Sequence, residues 1–304
     1  MKNILFRADS SSSIGLGHIM RDLVLATQFP HAHITFATQN LKGNINHKIV
    51  EAGYNLKILS SNNKKELVKL IKKLEIDLLI IDHYKINYQT EKQIKKETGV
   101  TLFILDDTYK KHHCDTVLNH NIGANPKRYK TKVPPFCELR CGEKYTLLRE
   151  EFYKEKNKKY KKSKKYKTIF IAMGGTDHSN ININILKVLE TFSNIKVNLV
   201  TTNANKNLKE LKKYAKNRNW INLHINSTQI AKLMRKSDVA VITPSVTLNE
   251  VYFMKLPFIA IKTASNQDDI YQYLKKHKYL TLNKFHKKEL ETKIRTLIKA
   301  VKSA

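Results

Sequence analysis

The sequence predicts an α/β protein built from two Rossmann-like, doubly wound domains. Short apolar runs alternate with longer amphipathic segments along most of the chain, which is typical of βαβ units and a parallel sheet. This alternation occurs twice, and a segment with nine lysines, residues 154–167, separates the two series. A length of 304 residues suits two domains. We therefore expect an N-terminal domain at residues 1–153 and a C-terminal domain at residues 154–304.

The apolar runs of the first half predict five strands. These are residues 4–7, 33–38, 56–59, 78–82 and 100–105. Apolar side chains at helical spacing predict helices at residues 18–28 and 64–74. Loops that lead from a strand into a helix are where such folds bind ligands.

The second half repeats the pattern. Its predicted strands are residues 168–173, 196–201, 221–225, 239–242 and 258–261. Its predicted helices are residues 181–192, 208–216 and 270–276, followed by a basic helix at residues 285–304. Two such domains joined by a polar linker are expected to place a cleft between the carboxyl edges of their sheets.

The strongest compositional signal is a net charge of +30, which raises the hypothesis of a nucleic-acid partner. However, 48 basic residues are lysine and 8 are arginine, whereas phosphate and base recognition favours arginine's planar fork. The lysines are dispersed at positions expected to face solvent, such as Lys64-Lys65 and Lys212-Lys213. We therefore expect no nucleic-acid partner, although this charge would attract an anionic nucleotide diphosphate.

The sequence also predicts a cytoplasmic protein without a membrane segment. Its apolar runs are far shorter than the roughly 18 residues of a membrane span, and those after Met1 are too short for a signal peptide. Three cysteines make no disulfide framework, so reduced thiols are expected. His112-His113-Cys114 is the one dense group of possible metal ligands, and a zinc site is not favoured.

The first candidate site is the loop from Asp9 to His18, which contains Gly15 and Gly17 and follows the first predicted strand. Its small residues let the backbone approach a ligand. A dinucleotide fingerprint needs a third small residue where Met20 stands, so nicotinamide or flavin binding is not favoured. In the first turn of a helix, the dipole favours a neutral imidazole, which suits His18 as a general base. The alternative is a histidine that caps or packs at the helix start.

The glycine pair Gly174-Gly175 follows the first predicted strand of the second half. Exposed amides at such a turn can hold a phosphate. A tight turn without a ligand is the alternative.

Residues 243–250, with the sequence TPSVTLNE, follow another predicted strand. The hydroxyls of Ser245 and Thr247 can bind a diphosphate at this helix start, and Glu250 can accept both hydroxyls of a ribose. The alternative is a capping box from Thr247 to Glu250, in which the carboxylate bonds backbone. The sequence leaves both interpretations open.

Three further polar groups follow predicted strands: Asp82-His83-Tyr84, Asp106-Asp107-Thr108 and Asn266-Gln267. Site residues gather at the carboxyl ends of strands, but each group is also ordinary loop chemistry.

The order and spacing of these loops resemble the family of inverting UDP-sugar hydrolases of the pseudaminic acid pathway, relatives of the UDP-GlcNAc-using glycosyltransferase that completes lipid II. The resemblance covers nearly the whole chain. It is carried by FRADSSSSIGLGH at 6–18, IIDHY at 80–84, LLREEF at 147–152, MGGTD at 173–177 and NE at 249–250. It implies the glycosyltransferase B-type fold, with two Rossmann-like domains facing a cleft.

The resemblance implies hydrolysis of UDP-2,4-diacetamido-2,4,6-trideoxy-β-L-altrose to UDP and the free sugar, by water attack at the anomeric carbon with inversion. The sugar would feed synthesis of a nonulosonic acid that decorates bacterial flagellin. His18 takes the place of the family's catalytic histidine and Tyr84 that of its tyrosine. Neither a metal nor another cofactor is implied. The alternative is a glycosyltransferase of the same fold that uses a UDP-sugar donor, in which His18 deprotonates an acceptor hydroxyl.

Substrate-binding roles also follow from the resemblance. The expected residues are Asp9, Gly15, Gly17, Gly174, Gly175, Ser245, Thr247, Asn249, Glu250 and Asn266. The second domain of the family holds UDP, and Asn266 corresponds to the substrate asparagine of an Asn-Gln pair. The stretch that begins at Thr243 departs from the family's serine-rich form.

Overall fold

The computed structural model describes residues 1–161, 163, 165–177 and 179–302. Residues 162 and 164 of the predicted linker and the last two residues of the predicted C-terminal domain lie outside the described residues. The chain divides into two compact units, Met1–Leu147 and Leu148–Ala304. The sequence placed the boundary after residue 153 because the lysine-rich stretch is its clearest change in composition.

The first unit contains a seven-stranded sheet in its described residues. Its strands are β1 (Asn3–Ala8), β2 (His33–Gln39), β3 (Asn55–Leu59), β4 (Leu78–Asp82), β5 (Thr101–Leu105), β6 (Thr116–Asn119) and β7 (Glu138–Cys141). Its helices are α1 (Gly17–Ala26), α2 (His47–Glu51), α3 (Lys64–Lys73) and α4 (Tyr88–Thr98). The strand order is β3-β2-β1-β4-β5-β6-β7, and the neighbouring strands pair in parallel.

The second unit contains a six-stranded parallel sheet in the order β10-β9-β8-β11-β12-β13. Its strands are β8 (Lys167–Ala172), β9 (Ile195–Thr201), β10 (Ile221–Ile225), β11 (Val239–Ile242), β12 (Phe258–Ile261) and β13 (Leu280–Leu282). Its helices are α5 (Glu150–Glu155), α6 (Asn182–Leu189), α7 (Leu208–Ala215), α8 (Ile230–Lys236), α9 (Val246–Phe253), α10 (Asp268–Lys276) and α11 (Lys287–Lys302). The two predicted parallel-sheet domains are thus confirmed.

Three strands that the sequence analysis did not predict complete the sheets: β6, β7 and β13. They have four, four and three residues with the sequences TVLN, ELRC and LTL, so polar residues interrupt each apolar run, whereas the four-residue strands β11 and β12 are wholly apolar. In β7 the side chains are exposed or half-buried, as at an edge strand. The composition of such segments differs little from that of a loop.

Strand order determines which loops are neighbours in each unit. In the first unit β1 lies beside β4, with Ala8 opposite Asp82, so the loops after these strands share one edge of the sheet. In the second unit β8 lies beside β11, with Ala172 opposite Ile242. Both pairs mark the point where the order of strands reverses, the usual ligand position of a doubly wound sheet.

Burial of β1 fixes this geometry in the first unit. Ile4, Leu5 and Phe6 are fully buried, and apolar clusters cover both faces of the sheet, as expected for a parallel sheet between helices. The Phe6 ring stacks on Phe36 of β2 at a centroid distance of 4.7 Å.

The loop after β1 is packed against Gly43. The Ser12 amide donates to the Lys42 carbonyl over 3.0 Å. Gly43 has a φ of +74°, and a Cβ placed there would lie 3.1 Å from both the amide nitrogen and the Cβ of Ser12. The close approach of these two segments therefore requires glycine.

We expect Gly43→Ala to lower the free energy of unfolding by about 1–3 kcal/mol, because it adds a contact with Ser12 to the strain of a positive φ. Gly53→Ala is the matched control, since Gly53 has a φ of +83° and open space around its Cβ position. Urea unfolding followed by circular dichroism measures both variants. Equal losses of stability would show that the loop at Ser12 accommodates the methyl group freely.

Candidate active site

The centre of the first unit is a contact between His18 and Asp82. His18 is the second residue of α1, and Asp82 is the last residue of β4. The Nδ1 atom of His18 lies 2.7 Å from Oδ1 of Asp82, and both side chains are buried. The neighbouring positions of β1 and β4 bring these two residues together across 64 positions of sequence.

Arg21 holds the same carboxylate. It lies one helical turn after His18, so both side chains are on one face of α1. Its Nε and Nη2 atoms donate to the two oxygens of Asp82, each over 2.5 Å. Burial raises the pKa of Asp82, but the positive charge of Arg21 and the contact with His18 outweigh it and hold the pKa well below its usual range. Asp82 is therefore ionised.

The ionised state of Asp82 determines the tautomer of His18. A carboxylate can only accept hydrogen bonds, so Nδ1 of His18 must carry the proton of the 2.7 Å contact. Nη2 of Arg21, 3.2 Å from that nitrogen, is then a neighbouring donor rather than a hydrogen-bond partner. In the neutral ring, the lone pair is on Nε2.

Asp107 joins Tyr84 to this group. The Tyr84 hydroxyl donates to Asp107 Oδ1 over 2.9 Å, and Nη1 of Arg21 donates to Oδ2 over 3.0 Å. The Tyr84 ring meets the His18 ring edge to face, with centroids 5.0 Å apart. The two residues to which the resemblance assigns catalysis are therefore in contact.

Two buried groups beside the cluster have shifted pKa values. Burial and the charge of Arg21 lower the pKa of His120 to about 3. Burial and the charge of Asp82 raise the pKa of Asp22 well above its usual range. Within the hydrogen-bonded cluster itself, the guanidinium of Arg21 and the carboxylates of Asp82 and Asp107 sum to one negative charge when His18 is neutral.

Asp9 is the first residue of the loop that ends at His18. Its Oδ1 accepts from Arg7 over 2.8 Å and from the Gln39 amide over 2.7 Å. Its Oδ2 accepts from Arg7 over 2.8 Å and lies 3.0 Å from Nε2 of His83. Burial raises the pKa of Asp9, but these partners hold it well below its usual range. These contacts tie the start of the loop to β1, to the end of β2 and to the residue after β4, and the contact of Asp9 with substrate stays a prediction.

The predicted glycines shape the same loop. Gly15 has a φ of +93° and pairs with Ser11 in a short antiparallel bridge. Gly17 is the first residue of α1 and directly precedes His18. The glycines thus reverse the chain and start the helix that presents the imidazole.

Hydrogen bonds hold the glycine turn of the second unit against β9. Gly174 has a φ of +84°. The Gly175 carbonyl accepts from the hydroxyls of Thr201 over 3.2 Å and Thr202 over 2.8 Å. The turn follows β8 at the edge where the loop after β11 also lies.

The capping-box interpretation of Glu250 is wrong. Helix α9 begins at Val246, with Ser245 before it, so Thr247 is already inside the helix. The Oε1 atom of Glu250 accepts from Nη2 of Arg149 over 3.0 Å. The three-residue spacing from Thr247 to Glu250 matches that of a capping box, but the observed partner of Glu250 is Arg149, 101 positions away.

The remaining predicted residues also lie near this edge. Asn249 is buried on α9, and Asn266 is exposed in the short turn Ser265–Gln267 after β12. Gln267 accepts through Oε1 from the Thr243 hydroxyl over 3.1 Å and the Thr263 amide over 2.8 Å. This side chain ties the loops after β11 and β12 together.

Sequence reasoning assigned no role to Arg21, Asp107 or Arg149. Arg21 has a usable signal, its spacing of three residues from His18 on a helix. Asp107 and Arg149 stand in stretches that the sequence analysis named, but their partners are set by tertiary contacts.

His112 anchors the loop that carries Asp107. Its Nδ1 lies 2.8 Å from Oε1 of Glu91 on α4, and its Nε2 forms an ion pair with Asp106 at 3.7 Å. Burial lowers the pKa of His112, but the two carboxylates outweigh it and raise the pKa to about 9. His112 is therefore a buried cation. No group of three or more possible metal ligands occurs in the described part of the chain.

No helix among the described residues is long and apolar enough to cross a membrane.

The chain is similar to a curated protein of Campylobacter jejuni, named UDP-2,4-diacetamido-2,4,6-trideoxy-β-L-altropyranose hydrolase. The two are 45% identical over 276 residues, which cover 91% of this chain and 97% of the relative. No protein-family model matches the chain.

Solved structures of glycosyltransferases share the fold. MurG of Acinetobacter baumannii superposes with a TM-score of 0.66 at 12% identity, covering 98% of this chain and 91% of that one. The spinosyn rhamnosyltransferase SpnG gives a TM-score of 0.70 at 9% identity, covering 98% and 92%. The predicted glycosyltransferase B-type fold is thereby confirmed.

The charge of His112 predicts a pH-dependent stability. Its pKa in the folded protein lies above the unfolded value of about 6.5, so the stabilisation is complete below that pH and is lost as the pH rises through about 9. We expect the stability difference between wild type and His112→Gln to shrink by on the order of 3 kcal/mol between pH 6 and 9.5. Urea unfolding at both pH values measures it. The exposed His31→Gln is the control, and a pH-independent difference would contradict the buried cation.

Proposed function

Because this chain belongs to the family of the UDP-2,4-diacetamido-2,4,6-trideoxy-β-L-altropyranose hydrolases, we propose that it splits that UDP-sugar into UDP and the free sugar. The observation that carries the chemical step is the 2.7 Å contact between His18 and the ionised Asp82. The contact fixes the tautomer of the neutral imidazole, with the lone pair on Nε2, as a general base requires.

We assign the proton transfer to Nε2 of His18. As the oxygen of water bonds to the anomeric carbon, the bond from that carbon to the diphosphate oxygen breaks, and UDP leaves with the electron pair. One proton of the water moves to Nε2. Attack opposite the leaving group inverts the anomeric carbon through an oxocarbenium-like transition state.

The charges around His18 support this assignment. The cluster has one net negative charge while the imidazole is neutral, and a proton on Nε2 brings it to zero. Asp82 is already desolvated and held by Arg21, so it needs little reorganisation to stabilise the imidazolium. Tyr84 limits the movement of the ring through its edge contact and its bond to Asp107.

We assign UDP to the second unit. Gly174, Gly175, Ser245 and Thr247 supply amides and hydroxyls at strand ends and at the start of α9, where the helix dipole favours an anion. Glu250 is proposed to accept the ribose hydroxyls. Asn249 and Asn266 stay predicted substrate residues.

UDP is a good leaving group, so its departure needs no general acid. Helix N-termini can stabilise the negative charge of the diphosphate, so the proposed reaction requires no metal or cofactor. The cytoplasmic location and the use of the sugar for flagellin glycosylation stay predictions.

A glycosyltransferase activity is the second candidate, since glycosyltransferases share the fold. In that case Nε2 of His18 would take the proton from an acceptor hydroxyl. Release of UDP without an acceptor distinguishes the two.

We expect His18→Asn to lower kcat by about 10²- to 10⁴-fold, because the general base is lost. Binding of UDP, measured by calorimetry, should change little. The control is His33→Asn, which replaces an exposed histidine at the start of β2. Near-wild-type turnover in His18→Asn would remove His18 from the role of base.

We expect the UDP-sugar, incubated in ¹⁸O-water with EDTA and no acceptor, to give free sugar with the label on carbon 1 and an inverted anomeric centre. Proton NMR and mass spectrometry of both products provide the measurement. Label in UDP would mean attack at phosphorus and would overturn the mechanism. UDP binding without turnover would favour the glycosyltransferase.

A further inference from the structure

Arg149 bridges two carboxylates in the second unit. Its Nη2 donates to Oε1 of Glu250 over 3.0 Å, and its Nη1 lies 2.5 Å from Oε1 of Glu151. The side chain of Glu250 is 9% exposed, whereas that of Arg149 is 28% exposed. The Arg149 guanidinium thus contacts both the half-buried carboxylate of Glu151 and the buried carboxylate of Glu250. Arg149 belongs to the LLREEF stretch, to which the proposed mechanism assigns no role.

The pKa of Glu250 lies above its ordinary value, because the effect of burial exceeds the opposing effect of Arg149. Burial raises its pKa, the charge and hydrogen bond of Arg149 lower it, and the charge of Glu151 raises it. A protonated carboxyl group offers fewer acceptor sites than a carboxylate and lacks the stronger bonds of an ionised acceptor. Recognition of two hydroxyls by Glu250 therefore depends on the cation beside it.

The position of Arg149 is fixed by its neighbours on α5. Phe152 is fully buried, and the Tyr153 ring meets Phe253 of α9 edge to face at 5.0 Å. Glu151 accepts through Oε2 from the Ala231 amide on α8 over 3.2 Å. Contacts with α8 and α9 thus hold the Arg149 guanidinium beside Glu250. Such supporting contacts keep a binding side chain in one orientation.

We propose that Arg149 is the positioning residue of the nucleotide site: its hydrogen bond to Oε1 holds and orients Glu250, so that this side chain recognises the ribose of a ribonucleoside diphosphate. The assignment rests on the proposed UDP site. Arg149 occupies Oε1, and Oε2 is the oxygen we assign to the ribose hydroxyls. Arg149 therefore acts on ribose selectivity through Glu250.

Within the described residues, groups of both charges act on Glu250. The charged groups acting on it are Arg149 and Glu151, both at the start of α5. Tyr252 is the other titratable side chain of α9, and β11, which precedes α9, has none. Tyr153 and Lys156 contact the far end of the helix at Phe253.

The test compares UDP with 2′-deoxy-UDP by calorimetry in wild type, Arg149→Met and Arg149→Lys. We expect wild type to prefer UDP by about 10- to 100-fold, as for bonds to a charged group. Arg149→Met should reduce the preference to about threefold or less, and Arg149→Lys should restore part of it. Arg218→Met is the matched control, since Arg218 forms a 3.0 Å pair with Glu190 on the surface of the same unit.

The pH dependence of UDP affinity is the second readout, and a merely structural role would not shift it. Arg149→Met raises the pKa of Glu250, so the loss of affinity on acidification should begin at a higher pH than in wild type. Glu151→Gln removes the charge that raises this pKa and should shift the loss to lower pH.

The outcomes separate the two proposals. Failure of wild type to bind UDP would overturn the proposed function, and the role of Arg149 with it. Wild-type selectivity for UDP that persists in a folded Arg149→Met, with an unchanged pH profile, would overturn the role of Arg149 alone. If Arg149→Met does not fold, the other two variants decide. The role of Arg149 is overturned if Arg149→Lys and Glu151→Gln both keep the wild-type preference for UDP and the wild-type pH profile of UDP affinity.

Discussion

The carboxylate of Asp82 is the interaction on which the first unit's site depends. It accepts from His18 and from two nitrogens of Arg21, and it stays ionised although it is buried. It can do so only because α1 presents both partners on one face and β4 lies beside β1. The tautomer and the ring orientation of His18 both follow from this one group.

Pairing of a buried carboxylate with an arginine also occurs elsewhere in the chain. Arg7 holds Asp9, Arg21 holds Asp82 and Arg149 holds Glu250. The chain has 8 arginines and 48 lysines, so the scarcer cation occupies these buried pairs. A guanidinium suits them because it stays charged when desolvated and can bind two oxygens in a fixed plane. The excess of lysine contributes most of the net charge without taking part in these sites.

The fold class was predictable because strands and helices leave periodic apolar patterns, and most strands were found at nearly their observed positions. Strands β6, β7 and β13 were not, since they are short and polar residues interrupt their apolar runs. His18 could be identified from its place after the glycines. The roles of Arg21 and Asp107 depend on β1, β4 and β5 being neighbours, and the partner of Glu250 comes from α5, so no local pattern contains them.

The central place of β1 has a consequence for folding during synthesis. β1 pairs with β2 on one side and with β4 on the other, and β4 ends only at residue 82. A nascent chain that has emerged only as far as β2 therefore leaves one edge of an apolar strand without its partner, the kind of slow, non-local pairing that exposes a chain to aggregation. Insertion of β4 closes that edge and delivers Asp82 to His18 in the same step. Pairing of β1 with β4 and the contact between Asp82 and His18 are therefore expected to form together.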